Sequence, residues 1–188
     1  MSRKFRAFLS FNFQWYLLIL IGVIFFFYYV FTIIRTPTYD EKIVIFIGVD
    51  YIESERLEKD LYSGFDDTII KEVFVDYSNP LDDDFAIVFS TRGTVNTDIL
   101  ILPKDYIKES SYSNFFIKFS DEDIDFDGEF VMNSNGDIYG INVTKFISDY
   151  TNSKDDFYLF FNKKSNKVGL LNGISSNDFA LDIIKNFK

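Results

Sequence analysis

The chain has 188 residues, enough for one domain and a short appendage, and 47% of them are hydrophobic, so a packed core is expected. It contains no cysteine and no histidine, which excludes disulfides, thiolate metal sites, His-based catalytic triads and ordinary zinc enzymes. Four of the 19 basic residues lie in the first 35 positions, which hold no acid, so residues 36–188 carry 15 basic and 29 acidic residues, a net charge of −14. Such an acidic body repels phosphate backbones, so no nucleic-acid partner is expected.

The first predicted element is an uncharged apolar run at residues 13–34. As a helix it spans about 33 Å, enough to cross a bilayer, so the lipid bilayer is the partner of this segment. Arg3, Lys4 and Arg6 precede it and predict that the N-terminus stays in the cytoplasm. The expected division is a cytoplasmic segment 1–12, a transmembrane helix 13–34, a linker 35–41 and an extracytoplasmic domain 42–188.

Two other kinds of apolar segment are alternatives to a membrane anchor. A cleaved signal peptide has an apolar region of about 7–15 residues followed by small residues at the cleavage site, whereas this run is longer and stays bulky to its end. A buried core helix has one apolar face, whereas this run is apolar on all sides. A retained, single-pass membrane anchor is therefore the prediction.

Strands and helices alternate after the linker. Residues 42–50 are a continuous β-branched and aromatic run, and 97–103 are a polar step onto four aliphatic residues closed by a proline; both patterns are typical of buried strands. Strand–helix alternation predicts parallel strands with right-handed crossovers, with 97–103 as a central strand. The other elements predicted here are a strand at 68–78 and helices at 54–65 (capped by Ser54, stopped by Gly64), 79–93 (capped by Asn79, with Asp82, Asp83 and Asp84 near its start) and 104–110.

The second half of the chain has a looser pattern. Residues 114–120 are compatible with a strand or a short apolar helix, and 121–143 predict a hairpin with its turn at Asn133–Gly136. Residues 155–165 predict an apolar strand, and 175–187 a C-terminal helix. The basic segment 162–167 is interpreted as a solvated turn, with contact to acidic lipid or a partner as the alternative.

The order of these segments resembles the first lobe of extracellular solute-binding proteins of ABC importers. The resemblance is carried by a second strand ending in Asn79-Pro80, by "NTDILILP", by "GDIYGINV" and by "FYLFFNKKS" with "NDFALDIIKNF". In that family the "YG" strand precedes the crossing of the chain to a second lobe. Only about a dozen residues lie between Val143 and Phe157, so the resemblance implies one lobe. The expected fold is an α/β, single-lobe periplasmic-binding-protein-like sheet with flanking helices, preceded by one transmembrane helix.

Three residues are candidates for ligand binding. Asp50 and Asp76 lie near the carboxyl ends of predicted strands, where open α/β sheets bind ligands. Arg92, between a helix and a strand, is suited to an anionic ligand, with a surface salt bridge as its alternative role. The alternative for the aspartates is capping of the next turn.

The segment Asp123–Gly128 has the spacing of the first half of a calcium loop, with Asp123, Asp125 and Asp127 as ligands. Position twelve of such a loop needs a bidentate Glu, and Ser134 stands there instead. A solvated acidic loop is the alternative, and no other cofactor is expected.

Three functions follow as hypotheses. The first is a membrane-anchored, non-catalytic binding or accessory component that works with ABC permease subunits at the extracytoplasmic face. The second is a structural or protein-interaction module that has lost ligand binding. The third, an enzyme using the strand-end aspartates, lacks the usual catalytic residue types, so a non-enzymatic role is expected.

Overall fold

The computed structural model describes residues 3–64, 69–104, 106, 108–124, 126, 128–173 and 178–187. The chain divides into two compact units, one up to Thr38 and one from Tyr39 onward, and this boundary lies within the predicted linker 35–41. The helices are α1 (Arg3–Arg35), α2 (Ser54–Ser63), α3 (Phe85–Val88), α4 (Tyr112–Phe115), α5 (Thr144–Ile147), α6 (Gly169–Asn172) and α7 (Phe179–Asp182). The strands are β1 (Lys42–Gly48), β2 (Glu72–Ser78), β3 (Ile99–Pro103), β4 (Phe130–Met132), β5 (Ile138–Asn142) and β6 (Phe157–Phe161).

The first unit is the single helix α1, whose apolar part is Phe13–Arg35, with a mean hydropathy of 2.8 and none of it buried. Two hydroxyl groups that would be costly in an apolar medium are satisfied within the helix. Thr32 and Thr36 each donate to the carbonyl oxygen four residues earlier, at 2.8 Å. The chain thus has one N-terminal helix long and apolar enough to cross a membrane.

The second unit is a mixed α/β fold around one open sheet of six strands, in the order β2-β1-β3-β6-β5-β4. Strands β1, β2 and β3 are parallel, with Ile45 opposite both Val75 and Ile99. Strand β6 runs antiparallel between β3 and β5, and β4 pairs antiparallel with β5. The predicted parallel strands, the central position of 97–103 and the 121–143 hairpin are confirmed, and Gly136 in the hairpin turn has φ +83°, where glycine is unstrained.

Each face of the sheet has its own apolar core, because β1 and β3 send alternate side chains to opposite sides. Ile45 and Ile99 pack in one core with Leu57 and Leu61 of α2. Phe46 and Leu100 lie on the other face, where the α3 crossover covers them. The mixed α/β class predicted from the sequence is therefore confirmed.

Several predicted helix boundaries are wrong, and local hydrogen bonds explain one of them. Asn79 does not cap a helix: its side-chain oxygen accepts the Leu81 N–H at 3.0 Å and closes a turn, so α3 begins only at Phe85 and continues as a π-helical turn, Phe89–Gly93. The three aspartates 82–84 therefore lie in turns. Ser54 is the first residue of α2, so the N-cap position belongs to Glu53, which makes no side-chain cap hydrogen bond.

Two further predicted helices also have different boundaries in the structure. The described residues within 104–110 form turns and extended backbone, and the helical turns there begin at Glu109 (Glu109–Ser111, then α4). The C-terminal helix is α7 followed by a 3₁₀ segment, Ile183–Phe187, and its predicted start, 175–177, lies outside the described residues.

The amino ends of β1 and β3 are joined by Asp98, which is 0% exposed. Its carboxylate accepts hydrogen bonds from Val44 N at 2.9 Å, Ser165 Oγ at 2.7 Å, Lys167 Nζ at 3.0 Å and Tyr39 Oη at 3.5 Å. We name these five residues the Asp98 node. A buried carboxylate is tolerable only with such partners, since an unpaired buried charge costs several kcal/mol, on the order of 3–5 when one partner is lost.

Lys167 corrects the prediction of a solvated basic turn at 162–167. Its amine is 1% exposed and lies 3.8 Å from the centre of the Tyr39 ring. Burial, together with the charge of Asp98, raises the pKa of Tyr39 to about 12. Lys167 also accepts the Ala180 N–H through its carbonyl at 3.0 Å, so the node holds the C-terminal segment against the sheet.

The Asp98 node predicts unequal effects of removing its two charges. Asp98→Asn leaves a buried ammonium without its counter-charge and should lower the free energy of unfolding by about 3–5 kcal/mol. Lys167→Met should cost less, because the carboxylate keeps three other donors. The double variant should lose less than the sum, as measured by denaturant unfolding of the full chain in detergent. Additive losses would contradict the pairing.

Candidate functional site

A cleft with a volume of about 590 Å³ lies at the carboxyl ends of β1, β2 and β3. This is the edge at which open α/β sheets bind ligands. The lining residues come from the loops after the three strands and from the loop before β6. They are Val49, Asp50, Asn79, Pro80, Leu81, Pro103, Lys104, Tyr106, Asn152, Ser153, Asp155 and Asp156.

The floor of the cleft depends on the absence of a side chain at Gly48. A Cβ there would lie 3.2 Å from Pro103 Cδ and 3.4 Å from Pro80 Cγ. Glycine at the end of β1 therefore allows the end of β3 and the loop after β2 to pack closely against the strand. The Asn79 turn then holds Leu81 at the rim, where it is 90% exposed.

The loop before β6 is tied to the loop after β1. Glu53 donates its backbone N–H to Tyr150 O at 2.9 Å, and Thr151 Oγ1 donates to Tyr51 O at 2.7 Å. On the other side, Lys104 N donates to Asp156 O at 3.0 Å. The cleft wall is thus braced across β1, β3 and β6, and the site is largely formed without a ligand.

The charges that line the cleft are mainly negative. Asp50, Asp155 and Asp156 contribute three carboxylates against the single ammonium of Lys104. The Lys104 amine lies 5.9 Å from the centre of the Tyr158 ring, and interaction with Tyr158 raises the pKa of this lysine. The wall therefore repels anions along most of its surface.

Of the three predicted ligand-binding residues, the structure places Asp50 in the cleft, where its carboxylate accepts the Tyr51 N–H at 2.9 Å. Asp76 and Arg92 lie away from it and contact each other, with Arg92 Nη1 3.2 Å from Asp76 Oδ2. The contact is the salt bridge that was the alternative role of Arg92. The aspartates at positions 50 and 76 do not face one pocket.

The predicted calcium residues are only partly within the described chain. Asp123 closes a turn, since its carboxylate accepts both the N–H and the hydroxyl of Ser120 at 2.8 Å. Asp125 and Asp127 lie outside the described residues. No group of three or more acidic side chains suited to a metal ion occurs among the residues that were placed. Calcium binding stays a prediction.

Sequence reasoning missed most of the cleft. Lys104 and Tyr106 directly follow the third strand, so the rule that selected Asp50 would also have found them. Leu81 follows the Asn79-Pro80 turn, but its apolar side chain gives no sequence signal of a binding role. Asp155 and Asp156 come from a loop more than 50 residues away from β3, and only the pairing of β3 with β6 brings them there.

Comparison with protein-family models found no match, and neither curated proteins nor solved structures showed significant similarity to the chain.

The Asp76–Arg92 contact predicts a small energetic effect. The Arg92 side chain is 58% exposed, so solvent screens the pair. Arg92→Ala should lower the free energy of unfolding by less than about 1 kcal/mol, measured by denaturant unfolding of the full chain in detergent. Asp76→Asn is the matched control and should have a similar effect. A loss above about 2 kcal/mol would show that the pair supports the fold.

Proposed function

We propose that the chain is a membrane-anchored, extracytoplasmic binding lobe that acts as a non-catalytic component of an ABC-type transporter. One observation carries the proposal: the braced cleft lies at the carboxyl ends of three parallel strands, beside the connection between β5 and β6. The resemblance in the sequence implies that a two-lobed relative would insert its second lobe in that connection. Here the connection, residues 143–156, contains only α5 and a loop, and four of its residues line the cleft.

A single wall requires a second surface for tight capture. Small-molecule sites typically bury about 70–90% of their ligand, whereas this cleft is bounded by one lobe. In the proposed function another protein, such as a permease subunit, supplies the opposing surface. A solute or a segment of the partner would then be held between them.

The membrane topology is part of the proposal. Arg3, Lys4 and Arg6 precede the apolar segment of α1, and cytoplasmic flanks carry such an excess of basic residues. The N-terminus is then cytoplasmic and the unit from Tyr39 onward extracytoplasmic.

A second function, a surface module that binds another protein without any solute, is favoured by one contact feature. Leu81 is 90% exposed on a turn closed by hydrogen bonds, and it stands at the rim of the cleft. Because hydrogen bonds already hold this turn, insertion of the leucine into an apolar pocket of a partner would cost little further ordering of the backbone.

The orientation predicts which positions react with a membrane-impermeant maleimide in intact cells. The chain has no cysteine, so one introduced thiol is the sole target. Lys154→Cys, at an exposed loop position, should label, and Ser2→Cys should label only after the cells are opened. Labelling of position 2 but not of position 154 in intact cells would reverse the topology and exclude the extracytoplasmic function.

The proposed partner can be identified by photo-cross-linking from the cleft rim. A photoreactive residue in place of Leu81 should cross-link, in the native membrane, to a permease subunit of an ABC-type transporter. Met132, 54% exposed on β4, is the matched control and should give no such product.

The identity of the cross-linked protein separates the two functions. A permease subunit supports the transporter component, and a surface protein unrelated to transport supports the interaction module. Products that are the same from both positions, or no product at Leu81, would contradict a role for the cleft. Calorimetric titration of the full chain with sugars and peptides then tests whether a solute is bound, since saturable heat excludes a module without a ligand.

A further inference from the structure

Strand β2 forms one margin of the sheet: among the described strands it has a neighbour only on the β1 side. A strand in this position presents backbone N–H and C=O groups that another strand could pair with. Its sequence, "EVFVDYS", is rich in residues that favour strands, and Phe74 and Tyr77 are 44% and 38% exposed. The margin is therefore suited to unwanted pairing unless something covers it.

One outward backbone group on this margin is covered by a side chain. Val75 donates its N–H to Glu58 Oε1 at 2.8 Å. Alternate residues of a parallel strand bond to the neighbouring strand, and those between them face away from it. Val75 belongs to the second set, together with Val73 and Tyr77. Glu58 thus occupies the position that the carbonyl of an added strand would take.

The position of Glu58 is fixed by the helix that carries it. Leu57 and Leu61 of α2 are fully buried against the sheet, so Glu58, which directly follows Leu57, is brought to the β2 margin. Burial raises the pKa of Glu58, the hydrogen bond from Val75 opposes this shift, and Glu72 and Glu55 raise the pKa further. The carboxylate is therefore held in a place where its charge is disfavoured, with the Val75 N–H as compensation.

We propose that Glu58 shields the β2 margin and keeps two copies of this chain from pairing through their β2 strands. The occupant that it excludes is a second β2, because a two-fold axis near Val75 would place two identical strands antiparallel. The β-branched and aromatic residues of this strand favour such pairing once its outward N–H groups are open. This role does not depend on transport or on any ligand of the cleft.

The first measurement needs no substitution. In the full chain in detergent, hydrogen exchange should be slower at the Val75 amide than at the Val73 and Tyr77 amides, which face the same way without Glu58. Glu58→Ala at low protein concentration should then accelerate exchange at Val75 by about tenfold, the effect of losing one hydrogen bond. Equal exchange at the three amides in the unsubstituted chain would overturn the proposal.

The second measurement is the state of association. Size-exclusion chromatography with light scattering should show the Glu58→Ala chain forming dimers or larger species at concentrations where the unsubstituted chain is a monomer. Glu58→Gln keeps an oxygen that can accept the Val75 N–H and should stay monomeric. Glu55→Ala removes the same charge from an exposed position of the same helix and should also stay monomeric.

The outcomes distinguish shielding from a purely structural hydrogen bond. A Glu58→Ala chain that keeps its circular dichroism and stays monomeric at every concentration would overturn the proposal. Self-association of Glu55→Ala as well would assign the effect to net charge and overturn it too. If Glu58→Ala fails to fold, the proposal is tested by hydrogen exchange in the unsubstituted chain and by the association state of a folded Glu58→Leu chain. The Glu58→Leu chain should self-associate, and a monomeric one would overturn the proposal.

Discussion

The buried carboxylate of Asp98 is the contact on which the rest of the domain depends. Its hydrogen bond from Val44 extends the pairing of β1 with β3 by one residue before the first ladder pair, Ile45–Ile99. Its hydrogen bonds from Lys167 and Ser165 hold the C-terminal segment. A carboxylate in an apolar interior is stable only when its donors arrive together. The strand register, the start of the domain at Tyr39 and the packing of the C-terminus are therefore coupled at one point.

The Asp98 node and the cleft lie at opposite edges of the sheet. The Asp98 node fixes the amino edge, where the chain enters at Tyr39, and the cleft lies at the carboxyl edge, about 17 Å away along β1 from Val44 to Val49. The residues between them, on β1, β3 and β6, are nearly all buried on both faces. The loops at the carboxyl edge can thus vary in charge and shape without loss of the core, which is the usual division between scaffold and site in α/β domains.

The sequence was informative where burial is continuous and much less so where distant polar groups meet. The strands at 42–48 and 99–103 were predictable, because two-sided burial leaves an uninterrupted apolar run. The helix at 79–93 was overpredicted, because the side chain of Asn79 competes for the backbone of Leu81. The basic pattern at 162–167 predicts a solvated lysine at 167, because nothing nearby in the sequence points to its partner, Asp98, which lies 69 positions away. For the same reason the four of the cleft's twelve lining residues that come from the loop before β6 could not be inferred from the sequence.

The cleft and the β2 margin are two exposed regions of the same domain, and they differ in whether a side chain of the domain covers them. At β2 a carboxylate covers one outward backbone group, the Val75 N–H, whereas at the carboxyl edge a braced wall is left open with Leu81 at its rim. An open wall of this kind binds weakly alone, because area and desolvation on one side seldom offset the entropy lost on association. Its braced geometry lowers that cost for a partner that completes the site. The membrane-spanning capacity of α1 would further favour such a partner in the same membrane, since confinement there raises effective concentration.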